Sequence, residues 1–442
     1  MRSYKIIAVS IFILLFTSVL DAQKVWTLED CINYATENNI SVKRQELVAK
    51  QSQNNLNQSK YELLPDVNGF VNHNLNSGKS VNYETYSYVD EKYTNGSMGI
   101  NSNLSLFNGL QQYNTIKKNE LDLKSRLKDV EKAKNDLVLN IATGYMQILF
   151  NNELKNISEQ ELELTIEQIE KTKKLVDVGN VPKSDLLEIK AQAASERVNL
   201  TNAKNQLILS YLTLTQMLNL DSIGDFKIQI PTNLELHTNT TLNNVNSIFS
   251  EAVDFLPQIE SAKYQLKSSQ KNLDITKGQL SPNLSLGFVY YTRYNELSKP
   301  IFSYNEQIKE NAYKQLTLSL NIPIFNKMHT KNNINNAKIN VLDAQLNLAL
   351  SKQELYKEIQ QARTEAIAAF EKYQANVDAV KSMDEAFNYT QQKYQVGIVD
   401  IVEYKISKQN LAKAKSDVLK AKYEYVFKTK ILDFYTGKQF KL

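Results

Sequence analysis

The side chains best suited to chemistry are few in this chain and do not converge. His73, His237 and His329 fall in a strand-like segment, a linker and a helix start, with no metal-ligand spacing. Cys31 is the only cysteine, which excludes an internal disulfide framework or a cysteine-cluster metal site and reads as a small buried helix residue. No glycine-rich loop could cradle a phosphate, and no nucleophile elbow is present. Neither a catalytic constellation nor a cofactor or metal is therefore expected. What does recur is acid beside glycine. Asp185 and Glu188 follow Gly179, and Asp400 and Glu403 follow Gly397. Acids in a first helical turn are favoured by the helix dipole whatever else they do.

Those glycines belong to a repeat. Phe107 and Phe325, Asn108 and Asn326, Gly179 and Gly397, and Asp185 and Glu403 are each 218 apart, while Pro65 and Pro282, and Ala35 and Ala252, are 217 apart. An ordered series of this kind marks a duplication over nearly the whole chain. Each half holds a long run poor in helix breakers. Ile324 to Val396 contains neither glycine nor proline, and Leu110 to Val178 is interrupted only by Gly144. Average usage of about 7% Gly and about 5% Pro would give roughly 31 and 22 residues. The 442-residue chain has 12 and 7, which calls for few turns and long elements. Its 52 basic and 48 acidic residues are interleaved, giving a solvated surface with no block suited to nucleic acid.

Arg2 and Lys5 precede an apolar run from Ile6 to Leu20, which reads as a signal peptide over residues 1–22. The run is short for a spanning helix, which needs about 20 residues. No later segment is apolar enough to span as a helix, so any membrane crossing must use strands. Four segments alternate with period two. Val67, Val71 and Leu75 lie opposite Asn68, Asn72 and Asn74, and Met98, Ile100, Leu104 and Leu106 lie opposite Gly99, Asn101, Asn103 and Ser105. Leu284, Leu286 and Phe288 alternate with Asn283, Ser285 and Gly287, as Leu316, Leu318, Leu320 and Ile322 do with Thr317, Ser319 and Asn321. Apolar residues facing uncharged polar ones suit lipid on one side and a wet lumen on the other. The spacing predicts hairpins over 66–107 and 283–323, with long loops from Asn76 to Gly96 and from Arg293 to Ala312. Four strands cannot close a barrel, and open edges in hydrocarbon leave backbone groups unpaired. A spanning protein must then oligomerise, two copies giving eight strands and three giving twelve.

The helices carry coiled-coil seams with 4-3 spacing. One runs Leu355, Ile359, Ala362, Ala366, Ala369, Tyr373, Val380, Met383, Phe387, Tyr394; another runs Leu186, Ile189, Ala193, Leu200, Ala203, Leu207, Leu214, Met217. Long helices are expected at about 110–177 and 327–395, roughly 100 Å each at 1.5 Å per residue. Shorter ones are expected at 28–61, 183–220, 247–279 and 400–436, two of them matching one long helix in length. Thr27 with Asp30 suggests a capping box, Pro182 suits a first helical turn, and Gly179 and Gly397 suit left-handed caps. The first repeat then covers 23–220, the second covers 247–436, and a short tail covers 437–442. The linker at 221–246 should lie at mid-height with both termini.

The duplicated strand-pair and long-helix plan, the opening "TLEDCINYATENNISV", the strand ends "LFNG" and "IFNK" and the paired "VG" tips together resemble the outer-membrane efflux (TolC) family. The resemblance covers about residues 25–436. It implies a mainly α fold with a membrane β-barrel: a homotrimer whose 12-stranded barrel stands on a long α-helical coiled-coil tunnel. It further implies a passive exit duct for a tripartite efflux pump or type I secretion system in the outer membrane of a Gram-negative bacterium, with the helices in the periplasm. A periplasmic adaptor protein and an inner-membrane pump would be its partners, and the adaptor would dock on Val178, Gly179, Val396 and Gly397. Matching from the tip glycine puts the family's gate carboxylate on Glu403, with Asp185 its counterpart, Asp400 a further candidate, and Glu188 holding the first-repeat equivalent of a second acidic position. The family's second acidic position is Ile406 here, a departure from its pattern. An exported, non-conducting coiled-coil protein is the alternative; it explains the seams but not the duplicated strands.

Overall fold

The computed structural model describes residues 25–82, 85–220, 224, 226–231, 244–298, 302–438 and 440. The expected leader at 1–22, most of the linker, His237, Tyr83 and Pro300 lie outside them. Two compact units form. One holds the residues up to Arg44, Lys132–Asp254 and Glu354 onward; the other holds Gln45–Glu131 and Phe255–Gln353. Each unit therefore draws on both repeats.

In the first unit, β1 (Val25–Trp26) pairs in parallel with β4 (Lys227–Ile228), so the segment just before α1 meets the segment between the two repeats. Helix α1 (Leu28–Asn38) opens on the capping box: Asp30 N–H donates to Thr27 Oγ1 at 3.0 Å and Thr27 N–H donates to Asp30 Oδ2 at 3.1 Å. The main core gathers Cys31, Ala35, Ile141, Tyr145, Ile148, Leu149, Leu214 and Leu218 with Phe226, Ile228, Val426 and Phe440. Tyr145 is buried there but its hydroxyl donates to the Gln229 carbonyl at 2.6 Å. That bond satisfies the one polar atom the ring takes into the core.

The expected helix at 28–61 is two helices, α1 and α2 (Ile40–Tyr61), because Asn39 is extended at φ −62, ψ 129. Its Oδ1 accepts from the N–H groups of Ser41 at 2.8 Å and Val42 at 3.4 Å, so Asn39 caps a new helix. The helix expected at 247–279 is likewise split into α5 (Val245–Phe255) and α6 (Pro257–Gly278). Here Pro257 sits at the first position of α6 and holds Leu256 extended. The breaks at Asn39 and Leu256 are 217 residues apart, so they too repeat.

The long helices α3 (Gln111–Asp177) and α8 (His329–Gln395) have 67 residues each. Pairs such as Lys118–Asp122 at 2.7 Å and Lys132–Asp136 at 2.6 Å run along the surface of α3. Each adds only a few tenths of a kcal/mol, about 0.2–0.5. Helix α4 (Lys183–Leu218) and helix α9 (Ile401–Tyr435) return from the tips. Pro182 precedes α4 as its N-cap instead of entering its first turn.

The second unit contains one four-stranded antiparallel sheet of order β2-β3-β5-β6. Strand β2 (Asn68–Asn82) and β3 (Ser87–Phe107) pair as far as Asn82 with Ser87, so the expected loop from Asn76 to Gly96 is mostly strand. Its tyrosines, valines and threonines favour that state over a loop. Beyond β5 (Asn283–Asn295) a short helix α7 (Tyr304–Glu310) precedes β6 (Tyr313–Asn321). Thr292 Oγ1 donates to the Ile308 carbonyl at 2.8 Å and Asn311 Nδ2 to the Arg293 carbonyl at 2.9 Å, tying α7 to the strand. No helix among the described residues is long and apolar enough to cross a membrane.

Candidate functional site

Both long helices end the same way. Gly179 and Gly397 take φ of +77 and +75, where only glycine is unstrained. The N–H groups of Gly179 and Asn180 donate to Val176 and Leu175, and those of Gly397 and Ile398 to Tyr394 and Lys393. This pattern is a Schellman cap, and it forces a reversal into the returning helix. Val178, Val396 and Ile398 are left 69%, 70% and 72% exposed, an unusual place for three apolar side chains.

The acids that follow occupy unlike surroundings. Asp400 is the N-cap of α9, and its carboxylate accepts from the Glu403 N–H at 2.9 Å. Glu403 itself is exposed, and Ile406 one turn on is 53% exposed. Asp185 and Glu188 in α4 are half-buried. Tyr394 lies close enough to feel both: burial raises its phenol pKa first, and the charges of Asp185 and Glu188 raise it further. The structure thus couples Asp185 and Glu188 to Tyr394, and Asp400 to Glu403. No hydrogen bond or ion pair joins the two acid pairs among the described residues.

Tyr394 is the hub of the packing just inside the tips. Its ring stacks on Tyr404 with centroids 5.0 Å apart, and Phe387 meets Tyr404 at 5.6 Å. Ile189 from α4 and Ile401 complete this apolar cluster, which fastens the second repeat's tip to the first. Burial also pushes the Tyr404 phenol up to about 12, with Tyr394, Glu196 and Glu161 adding to the effect.

One turn beyond Tyr404 the packing becomes ionic. Lys408 is 5% exposed. Its ammonium donates to the Glu161 carbonyl at 2.9 Å, to Thr165 Oγ1 and to Glu196 Oε1 at 3.0 Å, and it lies 3.5 Å from Glu161 Oε2. Lys415 approaches the other Glu161 oxygen at 3.7 Å. Sequence patterning passed over this cluster, although it left a trace: the α4 seam steps from Ala193 to Leu200 and skips Glu196, which stands at a buried seam position. Among the described residues no group of acids, histidines or cysteines could hold a metal ion.

A family model described as "Outer membrane efflux protein" matches residues 31–220 and 249–438, each half of the duplication separately. The chain belongs to the outer membrane efflux protein family. The outer membrane protein TolC of Vibrio cholerae serotype O1 is 21% identical over 411 residues, spanning 91% of this chain and 89% of that protein. The outer membrane efflux protein BepC of Brucella suis biovar 1 is 19% identical over 429 residues, spanning 96% and 89%. Among solved structures, the Campylobacter jejuni CmeC outer membrane channel superposes with a TM-score of 0.77 at 18% identity, covering 94% of this chain and 86% of that one. Family and fold neighbours are channels, and nothing among them points to catalysis.

Proposed function

We propose that this efflux-family chain works as a homotrimeric exit duct of the outer membrane, gated at its helix tips. The observation that carries the reading is the four-stranded sheet with an end strand on each side, β2 and β6. Direct cross-strand partners share a face. Leu104, Leu286 and Leu318 form one row, and Ser105, Ser285 and Ser319 form the next on the opposite face. A sheet with one leucine face and one serine face suits lipid outside and water inside. Three copies joined β6 to β2 would close twelve strands and remove every open edge.

The helices would then project into the periplasm as a tunnel, with the tips as its far end. Glu403, exposed beside the Gly397 turn, together with Asp185, Glu188 and Asp400, would place rings of carboxylate around the axis. The exposed Val178 and Val396 beside Gly179 and Gly397 would take an adaptor protein, through which an inner-membrane pump delivers cargo.

The first test is the native mass of the protein extracted from outer membranes in mild detergent, corrected for bound detergent. A trimer is expected; a monomer that needs no detergent would end the duct reading and favour an exported coiled-coil protein. Glu403→Ala is expected to weaken block of the trimer by multivalent cations in planar bilayers. Unchanged block would remove Glu403 from the gate.

A further inference from the structure

The serine face of the sheet is built almost entirely of small and uncharged polar side chains, and it departs from that pattern at one level. Phe70 pairs with Gly99, Gly99 with Tyr291, and Tyr291 with Tyr313, so a single cross-strand row runs through all four strands. Tyr291 and Ser285 stand an even number of residues apart on β5, which puts this row on the serine face. The Tyr291 and Tyr313 rings meet with centroids 5.3 Å apart. Gly99 is what lets the strands close up beneath them, since a Cβ there would fall 2.3 Å from the Tyr290 carbonyl oxygen and 2.6 Å from Tyr291 Cβ.

Arg293 follows on the same face, in the row of Asn72 and Ser97, at the end of β5 remote from α6. Its neighbour Thr292 is buried under α7 by the bond to the Ile308 carbonyl, so Arg293 leaves the strand on the uncovered side. Arg293 is exposed and forms no ion pair among the described residues. The nearest charges along this face are Asp66, bound to the Asn103 N–H at 2.6 Å, and Glu91, opposite Gly78. Asn103 and Glu91 each lie about 20 Å from Ser97 along β3 at roughly 3.4 Å per residue. That exceeds the Debye length of about 10 Å at 0.1 M salt, so neither acid cancels the guanidinium. Lys79, Asp90, Lys92 and Lys314 fall on the opposite face.

A ring of one charge sign selects the ions that a pore passes. Arginine adds a planar, weakly hydrated fork that binds carboxylate, sulfonate or phosphate through paired hydrogen bonds. Aromatic rings one step below it supply apolar wall in an otherwise wet passage. We propose that Phe70, Tyr291, Tyr313 and Arg293 form a filter for organic anions near the outer mouth of the duct. The apolar body of the cargo rests on the rings while its acidic group meets Arg293. This rests on the trimeric duct argued above, in which every copy adds its own rings and guanidinium to the belt.

Block of single trimers in planar bilayers by naphthalenesulfonate, added on the barrel side, tests the filter. Methanesulfonate, which has the charge without the rings, and neutral naphthalenemethanol, which has the rings without the charge, are each expected to block far more weakly. Arg293→Gln should raise the half-blocking concentration of naphthalenesulfonate about tenfold, the scale of one lost charge-assisted hydrogen bond. Arg293→Lys should recover part of that loss, and Tyr291→Leu should cost about fivefold through the lost aromatic contact. Native mass confirms that each variant compared is a trimer. Block that is absent in the wild type, unchanged in Arg293→Gln and Arg293→Lys, or equally strong with methanesulfonate would overturn the filter while leaving a conducting trimer in place. A chain that forms no conducting trimer would instead remove the duct itself, and the filter with it.

Discussion

Lys408 occupies a position that seam spacing reserves for an apolar side chain, between Tyr404 and Leu411, both buried. Truncation there removes the ammonium that Glu161 and Glu196 share, leaving Glu161 with Lys415 at 3.7 Å and Glu196 with the neutral Gln192 amide at 2.9 Å. Lys408→Ala is therefore expected to cost about 3–5 kcal/mol, the range for orphaning a buried charge. Adding Glu196→Leu to Lys408→Met should restore most of it, since well-packed apolar groups often replace a buried ion pair without loss. Urea unfolding followed by helical circular dichroism would separate the two; equal loss in both variants would mean that packing, not charge, carries the site. Tyr404 supplies a second test. Its phenol is held near 12 in the folded chain against 10.0 unperturbed, so above pH 10 the unfolded chain gives up a proton the folded one keeps. The contribution is whole below pH 10 and is lost as pH rises toward 12. Tyr404→Phe should flatten the stability profile over that window, and an unaltered slope would assign it to another group. At this scale the sequence was legible where pattern exists: Gly179 and Gly397, and the capping box of Thr27 and Asp30, follow from residue type and spacing. The Lys408 cluster was not, because its partners lie 212 and 247 residues away and a seam position filled by lysine resembles a solvated face.

Among elements, the long helices were the easiest to read, since runs without glycine or proline leave little else to form. The breaks at Asn39 and Leu256 were hidden because an asparagine cap and a proline at a first helical position interrupt a helix without altering its apolar period. The strands that replace most of the expected loop at 76–96 were hidden for the converse reason: polar residues there conceal a backbone that pairs from Asn76 to Asn82 and from Ser87 to Gly96. Glycines show how contact and propensity divide. Gly278 in α6 and Gly109 in the strand-to-helix turn cross so closely that a Cβ on Gly278 would come within 2.6 Å of the Gly109 carbonyl oxygen. Because backbone must move, Gly278→Ala should destabilise the protein. Gly144 in α3 is different, since a Cβ there would meet Leu214 at an ordinary 3.6 Å. Gly144→Ala should gain up to about 0.8–1.0 kcal/mol of helix propensity. Thermal melting of the two variants checks both signs, and a gain at Gly278 or a loss at Gly144 would contradict the packing described.

For the whole molecule, the decisive question is which face of the sheet meets lipid. Alternation in sequence gave each strand two faces, and the register now aligns them across β3, β5 and β6: Leu104 with Leu286 and Leu318, Ser105 with Ser285 and Ser319. Pairing of β3 with β5 joins the two repeats in one sheet, a partnership that no local pattern announces because the strands are separated by the whole of α3 and α4. An arginine tolerated on one face should fail on the other. In the proposed trimeric barrel, Leu318→Arg would place a guanidinium toward hydrocarbon at a cost of about 2–4 kcal/mol in each copy at mid-membrane depth. Three copies multiply it, so the variant should accumulate in the periplasm without forming heat-resistant oligomers. Ser319 is the next residue along the strand and on the opposite face, which the proposed barrel turns to water, so Ser319→Arg should assemble normally and shift the pore toward anions. Equal assembly of both variants would mean that neither face is lipid-exposed, and a sheet with two wet faces could not close a channel through a membrane.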